Sequence, residues 1–169
     1  MIVDNNFQQI TYPFDKLNVC PFPFVKIEHG FDNILSWDEI VDLNNKQIIN
    51  NQFLKHIERN IIHYHVKKIQ NKKTKIIEER LNILFPGVYV DVDLHGSFEN
   101  NVGGLKIHED IESTILHVQQ GEIILNILTG NISYIFNMKQ NDMIYIKKGI
   151  KHAVIGITPR FLVSYGIFD

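Results

Sequence analysis

The sequence predicts a mostly β protein with N-terminal helices, an α+β chain whose second half forms a β-sandwich or barrel covered by the first half. Three observations carry this prediction. The apolar period changes from three-to-four to two at Pro86-Gly87, eight short apolar segments then follow at near-regular spacing, and Gly, Asn and Asp punctuate the joints between them. At 169 residues and 19.7 kDa the chain has the length of one domain. Within it, residues 1–87 supply N-terminal strands and covering helices, and residues 88–169 the β core.

Residues 1 to about 30 are aromatic and proline-punctuated (TYPFDKLNVCPFPFVKIEHGF), which suits extended segments or edge strands. Ser36-Trp37-Asp38-Glu39 then has the spacing of a capping box, with Ser36 as N-cap and Glu39 as its reciprocal partner. A helix of about two to three turns follows, ending near Asn44-Asn45. From 52 to about 84 the apolar residues Phe53, Leu54, Ile57, Ile61 and Ile62, then Ile76, Ile77, Leu81 and Leu84, predict two amphipathic helices. The run Gln70-Asn71-Lys72-Lys73 interrupts them, and Pro86-Gly87 stops the second. The eight predicted strands are 88–95, 105–108, 114–119, 122–128, 132–138, 143–147, 152–156 and 161–168.

Composition narrows the function classes. Seventeen basic and 19 acidic side chains give a formal charge of −2, so nucleic acid is not indicated as a partner. Cys20 is the single cysteine, the N-terminus lacks a basic and apolar leader, and no apolar run has the length of a membrane span. These features predict a cytoplasmic protein with no membrane association. The apolar N-terminal strands offer an edge for a homodimer.

Chemistry concentrates in VGGLKIHEDIESTILHVQQGEI (102–123) and QNDMIYIKKGIKHAV (140–154). If the chain is extended at His108 and Asp110, side chains two apart project from one face, so an imidazole and a carboxylate converge. His152 follows a turn at Gly149 and opens the next strand. His108 and Asp110 with Gly121 thirteen residues after the His, then Asn141, Gly149 and His152, resemble the two signatures of the cupin superfamily, a double-stranded β-helix fold. Asn141 stands where those signatures have a first Gly, and Lys147 where they have Pro. Ordinary metal-binding cupins follow the first His with a second His and then a Glu; this chain has Asp110, and Thr114 or Ile115.

His-x-Asp with a distant His resembles instead the iron triad of the 2-oxoglutarate-dependent oxygenases, and GGLKIHEDIESTILHVQQG resembles their JmjC-type hydroxylase branch. The resemblance implies Fe(II) held by His108, Asp110 and His152, with 2-oxoglutarate as co-substrate and hydroxylation as the outcome. Three protein ligands leave three adjacent metal positions open, two for a keto acid and one for O₂. The distal carboxylate of 2-oxoglutarate needs a cation, best a bidentate guanidinium. JmjC-type relatives place a basic residue two positions after the Gly, where this chain has Ile123. Other oxygenases take the anchor from the last strand. Arg160, with Ser164 on the same strand face, then fills that role; Lys106, on the face of His108, is the second possibility, and Thr114 completes the expected co-substrate site.

The other histidines carry less. His117 faces away from His108 by strand parity and is read as core or surface. His95 closes a strand beside Asp91, Asp93 and Glu99 and is read as pocket rim or turn. His63 and His65, two apart on a predicted helix, point to different sides, and His29 and His56 have no evident partner. The substrate is a small molecule or a protein side chain. The alternatives are a metal-binding cupin that is not an oxygenase, and a cupin-type sugar isomerase or epimerase in which the same side chains act as base and orienter.

Overall fold

In a computed structural model, which describes residues 2–3, 11–28, 31–49, 53–58, 61–100 and 106–169, the period-two segments pair into two sheets. The strands in chain order are β1 (Ile2–Val3), β2 (Thr11–Pro13), β3 (Phe24–Glu28), β4 (Phe53–Glu58), β5 (Ile61–Val66), β6 (Tyr89–Ser97), β7 (Ser113–Gln120), β8 (Glu122–Thr129), β9 (Ile132–Lys139), β10 (Met143–Ile146), β11 (Lys151–Gly156) and β12 (Arg160–Phe168). The helices are α1 (Trp37–Ile49) and α2 (Lys72–Leu84), with a 3₁₀ segment over Phe14–Val19. One sheet runs β2-β3-β10-β7-β12-β6-β5-β4 and the other β1-β9-β8-β11, so strands of the N-terminal half extend the core sheets.

Strand parity sorts side chains into two layers. Val90, Val92 and Leu94 of β6 and Phe161, Val163, Tyr165 and Ile167 of β12 face outward, where they pack with Ile40, Leu43, Ile77 and Leu81 of the helices. The alternate residues face inward, where Leu116, Val118 and Leu162 meet Ile123, Leu125 and Ile127 of the opposite sheet. The helices therefore cover one face of the larger sheet, as expected. Packing both faces makes the strands that carry the site stiff.

Local signals at the joints hold. Ser36 Oγ accepts the Glu39 amide at 3.2 Å while Glu39 Oε2 accepts the Ser36 amide at 2.7 Å, the reciprocal pair that the spacing predicts. α1 runs on to Ile49, past the expected end at Asn44-Asn45, because Asn44 turns its amide back to the Ile40 carbonyl at 2.8 Å and stays buried. Asn71 caps α2 by accepting the Lys73 amide at 2.8 Å. Asn141 has φ +72° and Gly149 φ +74°, so Asn stands at a left-handed position that a glycine would otherwise take.

Two expectations are corrected. Residues 53–66 form the β4–β5 hairpin, not a helix, and β5 pairs with β6 through Tyr64↔Gly96, His65↔His95 and Val66↔Leu94. The open edge of β6 supplies a row of backbone partners, and the β-branched, aromatic run IIHYHV meets it better than an isolated helix would form. The predicted strand 105–108 reduces to a single bridge, His108↔His152, among its described residues. His29 lies outside the described residues, as do residues 101–105.

Candidate metal centre

His108 and His152 are joined by two backbone bonds, His108 N to His152 O at 3.1 Å and His152 N to His108 O at 2.8 Å. Gly149 N donates to the Asp110 carbonyl at 2.9 Å, tying the turn before β11 to the loop that carries the carboxylate. The three side chains are thereby fixed from two separate stretches of chain. Although His108 sits in a bridge and not in a strand, His108 and Asp110 still project to one side.

His108 Nδ1 donates to the Lys106 carbonyl at 2.8 Å and His152 Nδ1 to the Ile150 carbonyl at 3.0 Å. Each imidazole is thus locked with its Nε2 lone pair facing inward. Those Nε2 atoms stand 3.5 Å from Asp110 Oδ1 and 3.5 Å from Asp110 Oδ2, and the donor atoms of all three residues lie within 4.8 Å of one another. Two Nε2 donors and one carboxylate, each imidazole oriented by a carbonyl two residues back, suit a divalent transition metal. Burial pushes the His152 pKa down, against smaller upward effects of the Ile150 carbonyl and Asp110, which favours the neutral, metal-binding form.

The three residues open onto a cavity of about 250 Å³ between the sheets. Its other walls follow the inward parity of the strands. Asp91, Asp93 and His95 come from β6, Thr114 and Leu116 from β7, Val154 from β11, and Arg160, Leu162 and Ser164 from β12. Arg160 is fully buried, and burial lowers its pKa to about 10, so the guanidinium stays charged at neutral pH. It lies against Gly156, where a Cβ would fall within contact distance of its Nε, Cζ and Cδ.

Of the residues expected in the site, His108, Asp110, His152, Arg160, Ser164 and Thr114 all line this cavity. Lys106 does not; it is exposed, and its carbonyl orients His108. Ile123 is buried between the sheets, in an apolar environment with no place for a basic anchor. His117 lies outside the cavity, fully buried, with Nε2 3.1 Å from Asn141 Oδ1. Burial lowers its pKa to about 4.

Sequence reasoning passed over a second group on the opposite wall, His65, Asp93 and His95. His65 Nε2 lies 2.8 Å from Asp93 Oδ2, His95 Nε2 3.1 Å from Ser164 Oγ, and the two imidazoles stack at 4.1 Å. Burial pushes the Asp93 carboxyl up, but bonds from His65 and the Lys68 amide outweigh it and hold it below its ordinary value. Burial, then Asp110, Asp91 and Asp93, push the Glu112 carboxyl up. The signal for this group was period two in VYVDVDLH; His65 was hidden because its segment was read as helix.

No family model matches the chain, and no curated protein matches it in sequence. Solved structures do. The non-heme alpha ketoglutarate dependent epimerase SnoN from nogalamycin biosynthesis aligns with a TM-score of 0.62 at 10% identity, over 87% of this chain and 78% of that one. An oxidoreductase of the 2OG-Fe(II) oxygenase family from Burkholderia pseudomallei aligns with a TM-score of 0.53 at 10% identity, over 86% and 85%. A cupin superfamily protein from Desulfitobacterium hafniense aligns with a TM-score of 0.45 at 14% identity, over 63% and 78%. These likenesses do not single out the JmjC branch. The chain shares its fold with the 2OG-Fe(II) oxygenase family oxidoreductase and the alpha ketoglutarate dependent epimerase, and a three-residue group that can hold a metal lies where its sequence resembles the cupin signatures.

Proposed function

We propose that this chain is an Fe(II)- and 2-oxoglutarate-dependent oxygenase that hydroxylates a small molecule or a protein side chain. The observation that carries the reading is the placing of a three-donor group and a fully buried guanidinium in one cavity. His108, Asp110 and His152 would hold the metal, and Arg160 the distal carboxylate of the keto acid. When bound, Fe(II) with 2-oxoglutarate and O₂ would supply oxidative decarboxylation to succinate and CO₂, one oxygen atom going to succinate and the other to a substrate C–H bond as hydroxyl.

The protein's own part is orientation and exclusion of water. The Lys106 and Ile150 carbonyls keep both Nε2 lone pairs inward, and the Asp110 carboxylate offsets part of the cation's charge. Leu116, Val154 and Leu162 line the cavity with apolar surface, which lowers the local dielectric and strengthens a guanidinium–carboxylate bond. Thr114 and Ser164 bring hydroxyls to the same space. The single, buried cysteine, Cys20, supports a reduced, cytoplasmic setting.

The test is anaerobic addition of Fe(II) and then 2-oxoglutarate, followed through the visible charge-transfer band of the chelate. The wild-type chain should develop the band, and His108→Ala and Asp110→Ala should lack both the band and substrate-independent succinate formation. Turnover retained in both variants overturns the reading. Metal binding without 2-oxoglutarate binding would favour a cupin that is not an oxygenase, and no metal binding a cupin-type isomerase or epimerase.

A further inference from the structure

The group on the wall opposite the proposed iron site is built by different strands. His65 on β5 stands across from His95 on β6, and Asp93 precedes His95 by two residues on the same strand face. One ligand atom from each lies within 4.8 Å of the others. Ser164 pairs across from Asp93 on β12, and its Oγ reaches His95 Nε2 at 3.1 Å. Three adjacent strands thus bring two imidazoles, a carboxylate and a hydroxyl to one place.

The carboxylate is oriented from behind. Lys68 N donates to Asp93 Oδ1 at 2.8 Å, leaving Oδ2 turned to His65. Lys68 holds this amide in a left-handed conformation, φ +53°, which disfavours a residue with a Cβ. Backbone support of this kind is what fixes a metal-ligating carboxylate.

We propose that His65, Asp93 and His95, with the Ser164 hydroxyl beside them, form a second divalent-cation site in this cavity, suited to a borderline transition metal such as zinc. Imidazole donors favour such ions over magnesium or calcium, which prefer all-oxygen sets. Charge agrees. The cavity carries the carboxylates of Asp91, Asp93, Asp110 and Glu112 against the one guanidinium of Arg160, and a single dication at His108, Asp110 and His152 does not offset them. The competing use of the same atoms is a hydrogen-bonded His65–Asp93 pair that takes no metal. The site does not depend on the oxygenase reading.

Metal analysis after equilibrium dialysis of the metal-free, full-length chain against Zn(II) separates the two. The wild-type chain should retain two equivalents, His65→Asn and His95→Gln one each, His152→Gln one, and the combined His95→Gln/His152→Gln none. A single wild-type equivalent that His152→Gln abolishes and His95→Gln keeps, or two retained in both His65→Asn and His95→Gln, overturns the site. Anomalous diffraction from zinc-soaked crystals of the unmodified chain needs no variant: two peaks are expected, one beside His65 Nε2 and Asp93 Oδ2, and a single peak at His108 overturns the proposal. Two bound metals without 2-oxoglutarate binding would refute the oxygenase reading and leave this site standing.

Discussion

Gly156→Ala tests the anchor without touching a metal ligand. Gly156 lies at the end of β11 with no left-handed φ, so its backbone accepts alanine, and on conformational entropy alone the change would stabilise the strand by about 0.5–1 kcal/mol. The new methyl, however, would overlap Arg160 Nε, Cζ and Cδ. Arg160 is fully buried, so its guanidinium has no solvent to swing into and must shift within the cavity. A displaced guanidinium loses a charge-assisted carboxylate bond of about 1.5–3 kcal/mol. At about 1.4 kcal/mol per factor of ten, 2-oxoglutarate should bind about ten- to a hundredfold more weakly. The assay is anaerobic titration of the Fe(II)-loaded chain with 2-oxoglutarate, alongside the metal affinity, which should not change. An unaltered 2-oxoglutarate Kd, or an equal loss of metal affinity, refutes the anchor argument.

Two further predictions concern stability. Burial lowers the His117 pKa to about 4 from its ordinary value near 6.5, so the unfolded chain binds this proton more readily. Stability should rise as pH increases through the window from about 4 to 6.5 and be lost on acidification, by up to about 3 kcal/mol from this group. Denaturant midpoints measured across that window should show a shallower slope in His117→Gln than in the wild-type chain, and an unchanged slope would contradict the assignment. Ser36→Ala removes one half of the capping box and should cost about 1 kcal/mol. Thermal unfolding reads that loss, and Ser36→Asn, which can still cap, should restore most of it.

The His108, Asp110 and His152 group was legible in the sequence because two short motifs at fixed spacing fall on segments whose pairing is strong. The bridge His108↔His152 puts His-x-Asp beside the distant His even though the described residues 106–108 form that single bridge and not the predicted strand. The capping box at Ser36 and the stop at Pro86-Gly87 were legible for a similar reason, since each depends on contacts a few residues apart. The hairpin over 53–66 was not. Its apolar residues satisfy a helical spacing, and only the free edge of β6, distant in sequence, supplies the hydrogen-bond partners that make strands the better solution.

The misread hairpin also concealed His65. Two apart on a helix, His63 and His65 diverge; in a strand paired to β6, His65 meets His95 and Asp93 in the cavity. The sequence by itself determined the β core after Pro86-Gly87 and the His108, Asp110 and His152 set, because period two and motif spacing are properties of neighbouring residues. The tertiary structure alone decided that Arg160 and not Lys106 is buried beside that set, and that a second group of histidines and a carboxylate faces it. Both depend on which strand edges meet, and that is settled by packing and hydrogen-bond supply across the whole chain.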